Sequence, residues 1–290
     1  MRRLTVLLVL SALAGALAAG TASGVPAAGV AAAAEPPPSP GLAGQGINFV
    51  SVCRFSHRAQ DDPIVFPGKP GRSHDHTFLG NEATDAFSTP ASLRGGETTC
   101  HRAGDTAAYW APTLFVDGEP VEPQGANVYY RRLTAGNVEP FPAGLMMIAG
   151  DAMATEPQSR RVTRWSCGID GGVPPSSDVP VCGRVGVREG LRLSVTFPSC
   201  WNGVDLDSAD HKSHLAYATR GRCPSSHPVA VPSLTLNIRY AVTGAGEVEL
   251  ASGGQYSGHA DFVNAWDQQE LARLVDACLN ALVHCGVRGG

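Results

Sequence analysis

The stretch that decides the fold is LRLSVTF, residues 191–197, in which apolar and polar side chains alternate over the whole length. Because successive side chains of a β-strand point to opposite faces, this alternation places the Leu, Val and Phe side chains on one buried face. Residues 233–240, SLTLNIRY, repeat the pattern. Two such strands in one chain predict a β-sheet that covers a hydrophobic core with one face.

Shorter strand signals are spread through the rest of the chain, separated by turns rich in Gly and Pro. They are residues 47–53, 109–116, 128–132, 145–150 and 162–167. The continuous apolar run at 145–150 is typical of a buried central strand. Pro112 favours a sheet edge or a bulge at its position, because proline cannot donate a backbone hydrogen bond. Asp117 and Gly118 predict a tight hairpin turn.

One helix is predicted, close to the C-terminus. Asp267 can cap its first turn, and Glu270 stands three residues later, as in a capping box. The residues that recur at helical spacing are Leu271, Leu274, Val275, Cys278, Leu279 and Leu282. Many short strands, frequent turns and one terminal helix predict a mainly β protein, a single-domain β-sandwich or jelly roll with long loops.

The N-terminal residues have the pattern of a targeting segment. Arg2 and Arg3 precede a mainly apolar run, which is followed by small residues as far as Ala34. This pattern predicts a secretory signal peptide over residues 1–34, with a Pro-rich linker at 35–45 and a folded domain at 46–290. Because the mature part holds no second long apolar run, we expect a secreted protein without a membrane span.

Charge and cysteine content narrow the class of partner and the compartment. Loss of Arg2 and Arg3 takes the formal charge from −4 to −6, which argues against nucleic acid as a partner, and we expect a monomer. All eight cysteines lie in the mature part, and an oxidising compartment favours four disulfides. Sequence neighbours suggest the pairs Cys53–Cys100, Cys167–Cys182, Cys200–Cys223 and Cys278–Cys285. A cysteine metal site is the alternative, although the chain has no C-x-x-C pair.

Residues that can carry chemistry are concentrated in three stretches. The first, residues 61–81, contains His74, Asp75 and His76. In an extended strand the two imidazoles point the same way and Asp75 points the opposite way. Two imidazoles on one face suit a metal ion, a proton relay or an anion.

The second stretch follows Cys200 and the third precedes the predicted helix. If Cys200 pairs with Cys223, the disulfide restrains the ends of the second stretch. We predict that the three stretches converge on one cleft at one end of the sandwich. The candidate catalytic residues in this cleft are His74, His76, Asp207, Asp210, His211, His214, His259 and Asp261.

Several runs of the chain resemble the DUF1996 family. They are SHDH at 73–76, FLGN at 78–81, AYWAP at 108–112, CWNG at 200–203, LDSADHKSHLAY at 206–217 and GHADF at 258–262. The resemblance runs in order from about residue 47 to residue 285. It implies an extracellular protein with a role related to polysaccharides, since family members are typically secreted and sometimes joined to carbohydrate-binding modules. It implies no established reaction.

Three interpretations of the clusters are open. The first is a divalent transition-metal site, with His74 and His76 as two ligands and His214 as the selected third, His211 and His259 being the alternatives. The second is metal-free acid–base chemistry on a glycan, because paired carboxylates hydrolyse glycosides and a His or Tyr can act as a lyase base. The third is a structural hydrogen-bond network without catalysis.

The predicted function is therefore the binding or processing of an extracellular polysaccharide, as a hydrolase or a lyase. The residues predicted to contact the substrate are Arg72, Arg94, Trp201 and Tyr217. Trp110 and Trp266 can also stack on sugar rings, but core packing is the favoured role for both. A non-catalytic carbohydrate-binding or structural envelope protein, and a metal-binding enzyme that uses His74 and His76, are the alternatives.

Overall fold

Ten strands form two antiparallel five-stranded sheets, which pack face to face across one buried core. The computed structural model describes residues 46–168, 173–186 and 189–287, all within one compact unit that spans 38–290. The predicted signal peptide and linker lie outside the described residues. Within the described part of the chain, no helix is long and apolar enough to cross a membrane.

The first sheet contains both of the strongly alternating strands of the sequence. Its order is β1 (Asn48–Cys53), β7 (Pro123–Arg131), β14 (Ser233–Tyr240), β10 (Glu189–Thr196) and β9 (Thr163–Gly168). The second sheet has the order β2 (Phe55–Ala59), β3 (His76–Gly80), β4 (Ala108–Pro112), β16 (His259–Val263) and β8 (Met146–Gly150).

Two small sheets and two short helices complete the described elements. One small sheet contains β15 (Val248–Leu250), β5 (Leu114–Val116) and β6 (Glu119–Val121). The other contains β12 (Leu215–Ala216), β11 (Cys200–Trp201) and β13 (Val229–Ala230). The helices are α1 (Pro90–Leu93), in a stretch without helical periodicity, and α2 (Gln268–Leu274), which continues as a π-helical segment, Val275–Asn280.

The main core lies between the two large sheets. Leu193 and Leu236 belong to the first sheet, Tyr109 and Phe262 belong to the second, and all four are fully buried in one cluster. A second apolar cluster, which includes Phe78 and Val263, covers the opposite face of the second sheet. Both faces of the second sheet are therefore buried, and polar residues on its outer face are held away from water.

The predictions for the hairpin turn, the cap and the disulfides are confirmed, but Pro112 lies in the interior strand β4, between β3 and β16, rather than at a sheet edge or a bulge. Asp117 and Gly118 have φ values of 53° and 79° and connect β5 to β6, as a two-residue hairpin turn requires. Asp267 caps α2 by accepting from the backbone N–H groups of Gln269 and Glu270. The Glu270 carboxylate pairs with Arg273, so it is not used as in a capping box. The four suggested disulfides are all formed.

The prediction of a central strand at residues 145–150 is wrong. β8 is an edge strand of the second sheet. It reads as continuously apolar because Met147 faces the main core while Ile148 packs on the outer cluster. Its free edge is covered by the loop between Cys200 and Cys223, since the backbone N–H of Met146 donates to the carbonyl of Leu206 at 2.9 Å.

Candidate functional site

Three histidines from two distant segments meet on the outer face of the second sheet. The ring centroids of His74 and His76 are 4.2 Å apart, and those of His74 and His259 are 5.0 Å apart. The rings of His76 and His259 are 5.8 Å apart. One nitrogen from each ring can be chosen so that all three lie within 4.8 Å of one another. We call this group the histidine triplet.

Strand order explains why these histidines meet. β4 lies between β3 and β16, and His76 on β3 is paired with Pro112 on β4. Asp261 on β16 is paired with Trp110 on β4, and the same antiparallel register continued by two residues places His259 beside Pro112. His76 and His259 therefore lie on either side of a compact proline, on one face of the sheet.

The backbone fixes the tautomer of two of the rings. Nδ1 of His76 lies 2.9 Å from the carbonyl oxygen of Asp61, and Nδ1 of His259 lies 2.9 Å from that of Ser257. Because a carbonyl oxygen only accepts, each Nδ1 must carry the proton, which leaves the lone pair on Nε2. This second-sphere arrangement is typical of metal-binding histidines.

Two ring nitrogens of the triplet have no hydrogen-bond partner in the described part of the chain. Among the described residues, Nε2 of His74 and Nε2 of His76 are buried and have no hydrogen-bond partner. Buried polar atoms in native proteins almost always have a partner, so two such nitrogens side by side are candidate ligand atoms. His74 is only half-buried, and it forms the side of the triplet nearest to solvent.

Burial keeps the triplet uncharged. Desolvation, reinforced by the charge of His74, lowers the pKa of His76 well below its ordinary value. Desolvation also lowers the pKa of His259 to about 4, and it lowers the pKa of His74. Neutral imidazole is the form that binds a metal, so no proton has to leave these rings at neutral pH.

A buried carboxyl group lies beside the triplet. Oδ2 of Asp261 is 4.0 Å from Nε2 of His259, and within the described part of the chain it has no hydrogen-bond partner. Desolvation and the charge of Asp62 raise the pKa of Asp261 well above its ordinary value, while the positive charge of Lys212 opposes that rise. Asp75, as predicted, points away from the triplet and pairs with Arg58 at 2.9 Å.

The loop from Cys200 to Cys223 brings His214 to the edge of the same sheet, but not as an available ligand. His214 is fully buried. Its Nε2 donates to the carbonyl of Met146 at 2.8 Å, and its Nδ1 lies 2.9 Å from the hydroxyl of Ser208. Because both nitrogens are used, the geometry favours His259 over His214 as the third ligand.

The other predicted residues of this loop are also engaged in local contacts. Asp207 accepts a hydrogen bond from Nδ1 of His211 at 2.9 Å. Asp210 accepts from the Ser208 hydroxyl at 2.8 Å and from the backbone N–H of Ser213 at 2.8 Å. These hydrogen bonds lower the pKa of Asp210, with the Ser213 N–H as the largest contributor. These contacts hold the loop in shape, and they occupy the carboxylate oxygens of Asp207 and Asp210 that catalysis would need.

The predicted substrate residues do not form one surface. Arg72 is exposed, and Arg94 lines a separate cleft of about 1300 Å³ next to the start of α2. Trp201 is half-buried, and its Nε1 donates to the carbonyl of Asp205 at 2.6 Å. Tyr217 is 42% exposed and lines a groove beside β8. Trp110 and Trp266 are fully buried, which confirms core packing for both.

Three residues near the triplet were not selected from the sequence. The charges of Lys212 and Asp151 both act on His259, and the charge of Asp62 acts on Asp261. Lys212 could have been noticed, because Lys69 is the only other lysine of the chain and Lys212 lies inside the predicted loop. Asp151 and Asp62 gave no comparable signal.

A second group of close ligand-type atoms is not a metal site. It contains Cys53, Cys100 and Asp105, but the two cysteines form a disulfide. Asp105 is fully buried and accepts a hydrogen bond from the hydroxyl of Tyr109 at 2.8 Å. The Tyr109 hydroxyl is in turn 2.6 Å from that of Tyr130, so the carboxyl belongs to a hydrogen-bonded core network.

The fold and the site together define a disulfide-bonded β-sandwich with a histidine triplet on the covered outer face of one sheet. A family model described as a domain of unknown function (DUF1996) matches residues 62–266, well over half of the chain. The chain therefore belongs to the DUF1996 family, as the sequence motifs indicated. Comparisons with curated proteins and with solved structures gave no match.

Proposed function

We propose that this DUF1996 domain binds one divalent transition-metal ion through His74, His76 and His259. The observation that carries the proposal is the convergence of three ligand nitrogens within 4.8 Å of one another. Ligand atoms of a tetrahedral site with bonds of about 2.0–2.1 Å are about 3.4 Å apart, so ring shifts of about 1 Å complete the site. Neutral imidazoles favour zinc, copper or nickel over magnesium or calcium.

Asp261 is a carboxyl group beside the three histidines, outside the set of atoms that lie within 4.8 Å of one another. Its Oδ2 lies 4.0 Å from Nε2 of His259, and a cation there offsets the cost of burying a carboxylate. Catalytic zinc sites commonly combine three protein ligands with one open position, whereas structural sites are closed by four protein ligands. The half-buried ring of His74 is the side from which an ion or a small ligand can reach the centre.

The biological role that we propose for the site is chemistry on an extracellular polysaccharide by a secreted protein. A metal-assisted reaction is better supported than hydrolysis by paired carboxylates. Asp207 and Asp210 are committed to loop hydrogen bonds, while Asp261 is buried next to imidazoles. A non-catalytic role for the same metal site remains the alternative.

The test is a metal titration of oxidised, chelator-treated protein with Zn²⁺, Cu²⁺ and Ni²⁺ by calorimetry. We expect one ion per chain and a loss of affinity of more than about 100-fold in His259→Ala and in His74→Ala, because a ligand matters more than its second-sphere partner. His214→Ala is the matched control, since it removes a buried histidine whose nitrogens already have partners. Absence of binding in the wild type, or equal binding by His259→Ala, contradicts the proposal.

A further inference from the structure

A groove of about 260 Å³ runs along the edge strand β8 and includes Gly150, the strand partner of His259. Ile148, Gly150 and Asp151 form one side of it. The other side includes Lys212 and Tyr217, which belong to the loop closed by the Cys200–Cys223 disulfide. The groove therefore lies between the edge of the second sheet and the loop that covers this edge.

The groove and the triplet are joined through Gly150. Gly150 is paired with His259 across the β8–β16 ladder. The ammonium group of Lys212 donates to the carbonyl oxygen of Gly150 at 2.8 Å. A ligand that contacts Lys212 would thus lie close to Gly150, which is the strand partner of the proposed metal ligand His259.

The walls of the groove combine an aromatic ring with two charges of opposite sign. Tyr217 is 42% exposed, and its hydroxyl donates to the carbonyl of Thr196 at 2.9 Å, so the ring is presented at a fixed angle. Asp151 and Lys212 are both exposed. Their charges oppose each other, so the groove has no net preference for an anion or a cation.

These properties favour one class of ligand. A sugar ring has an apolar C–H face that packs on an aromatic ring, and its hydroxyls both donate and accept hydrogen bonds. A carboxylate can accept hydrogen bonds from these hydroxyls and an ammonium group can donate to them, and both groups line this groove. A volume of about 260 Å³ is below the range of about 300–1000 Å³ for drug-sized ligands, so it suits a single ring of a longer chain.

We propose that this groove binds one uncharged sugar unit of a glycan, with Tyr217 against its C–H face and Asp151 and Lys212 at its hydroxyls. The assignment rests on the proposed function, because it makes the groove the glycan-binding half of the histidine site. It names the ligand class, an uncharged glycan, and the residues that recognise it. Gln158 lines the groove without binding the sugar, because its amide N–H groups already donate to the carbonyls of Tyr256 and Gly258.

The test uses neutral hexasaccharides with β-1,3 and β-1,4 linkages and a hexagalacturonate as the charged probe. Binding is measured by calorimetry on chelator-treated and on zinc-loaded protein. We expect a neutral probe to bind more tightly than the charged one, and Tyr217→Ala to weaken its binding by at least about tenfold. Tyr217→Phe, which keeps the ring, should retain most of the affinity.

Lysine variants give the matched control. Lys212→Met should weaken the neutral probe several-fold, whereas Lys69→Met, which changes the only other lysine on an exposed loop, should not. The inference is overturned if no neutral probe binds, if the uronate binds more tightly, or if Tyr217→Ala binds as the wild type does. Tyr217-dependent sugar binding without metal binding would contradict the metal site alone, and metal binding without sugar binding would contradict the groove alone.

Discussion

The histidine triplet and the loop from Cys200 to Cys223 contain the same kinds of residue in opposite states. In the loop, both nitrogens of His214 and the carboxylates of Asp207 and Asp210 have hydrogen-bond partners. Nε2 of His76 in the triplet, and Oδ2 of Asp261 beside it, are buried without one among the described residues. The density of histidine and aspartate along a sequence thus does not distinguish these two groups, whereas the hydrogen-bond partners of their side chains do.

The largest expected effect concerns Asp105, a carboxyl group that has hydrogen-bond partners and is nevertheless fully buried. Desolvation raises its pKa to about 7 in the folded protein, against the ordinary value of 3.8. The folded state therefore holds a proton that the unfolded chain releases between these two pH values. The contribution of Asp105 to the free energy of unfolding should fall as the pH rises from about 4 to about 7, by up to about 4 kcal/mol, and stay level above.

This prediction is checked by urea unfolding of the wild type and of Asp105→Asn across that pH range. The stability difference between the two proteins should change with pH and then become constant. A difference that does not vary between pH 4 and pH 7 would show that hydrogen bonds from Tyr109 and its neighbours keep Asp105 ionised. In that case the presence of hydrogen-bond partners alone would decide whether a buried carboxyl group is ionised.

His214→Ala tests the satisfied side of the comparison. The change removes a buried ring that ties the loop to β8 and leaves the carbonyl of Met146 without its donor. We expect a loss of about 3 kcal/mol in the free energy of unfolding, because buried hydrogen bonds and packing are lost together. Thermal unfolding of chelator-treated protein measures it, and an unchanged melting temperature would contradict the structural role of His214.

Asp261→Asn tests the unsatisfied side. In chelator-treated protein at neutral pH we expect the free energy of unfolding to rise by about 1–2 kcal/mol, because the folded state no longer buries a group that water would ionise. Zinc affinity should fall in the same variant. If Asp261→Asn lowered the free energy of unfolding without metal, Asp261 would have a stabilising structural role, like the hydrogen-bonded residues of the loop.

The smallest effect is expected for Asp207→Asn. This change removes the carboxylate from a partly exposed contact with Nδ1 of His211. Such contacts contribute about 0–1 kcal/mol, so unfolding should shift by less than about 1 kcal/mol, with no change in zinc affinity. A large loss of metal affinity in this variant would extend the site into the loop and remove the distinction between the two regions.

Local signals were sufficient for most strands and for the cap at Asp267, because these depend on residues close in sequence or on a simple alternation. The disulfides follow the order of the cysteines along the chain, even for Cys53 and Cys100, which are 47 residues apart. Local signals were insufficient for β8, whose apolar character comes from a second cluster outside the sandwich. They were equally insufficient to choose between His214 and His259. That choice depends on β4 lying between β3 and β16, a long-range arrangement that residue spacing does not encode.

The cover over β8 has a consequence for aggregation. An uncovered edge strand offers free N–H and C=O groups to a second chain, and an apolar edge is especially prone to such pairing. Here the carbonyl of Leu206 and the ring of His214 occupy Met146 of that edge, and the loop that carries them is closed by the Cys200–Cys223 disulfide. Reduction of the Cys200–Cys223 disulfide is therefore expected to expose the edge of β8 to pairing with a second chain. Formation of this disulfide protects the protein from self-association as well as from unfolding.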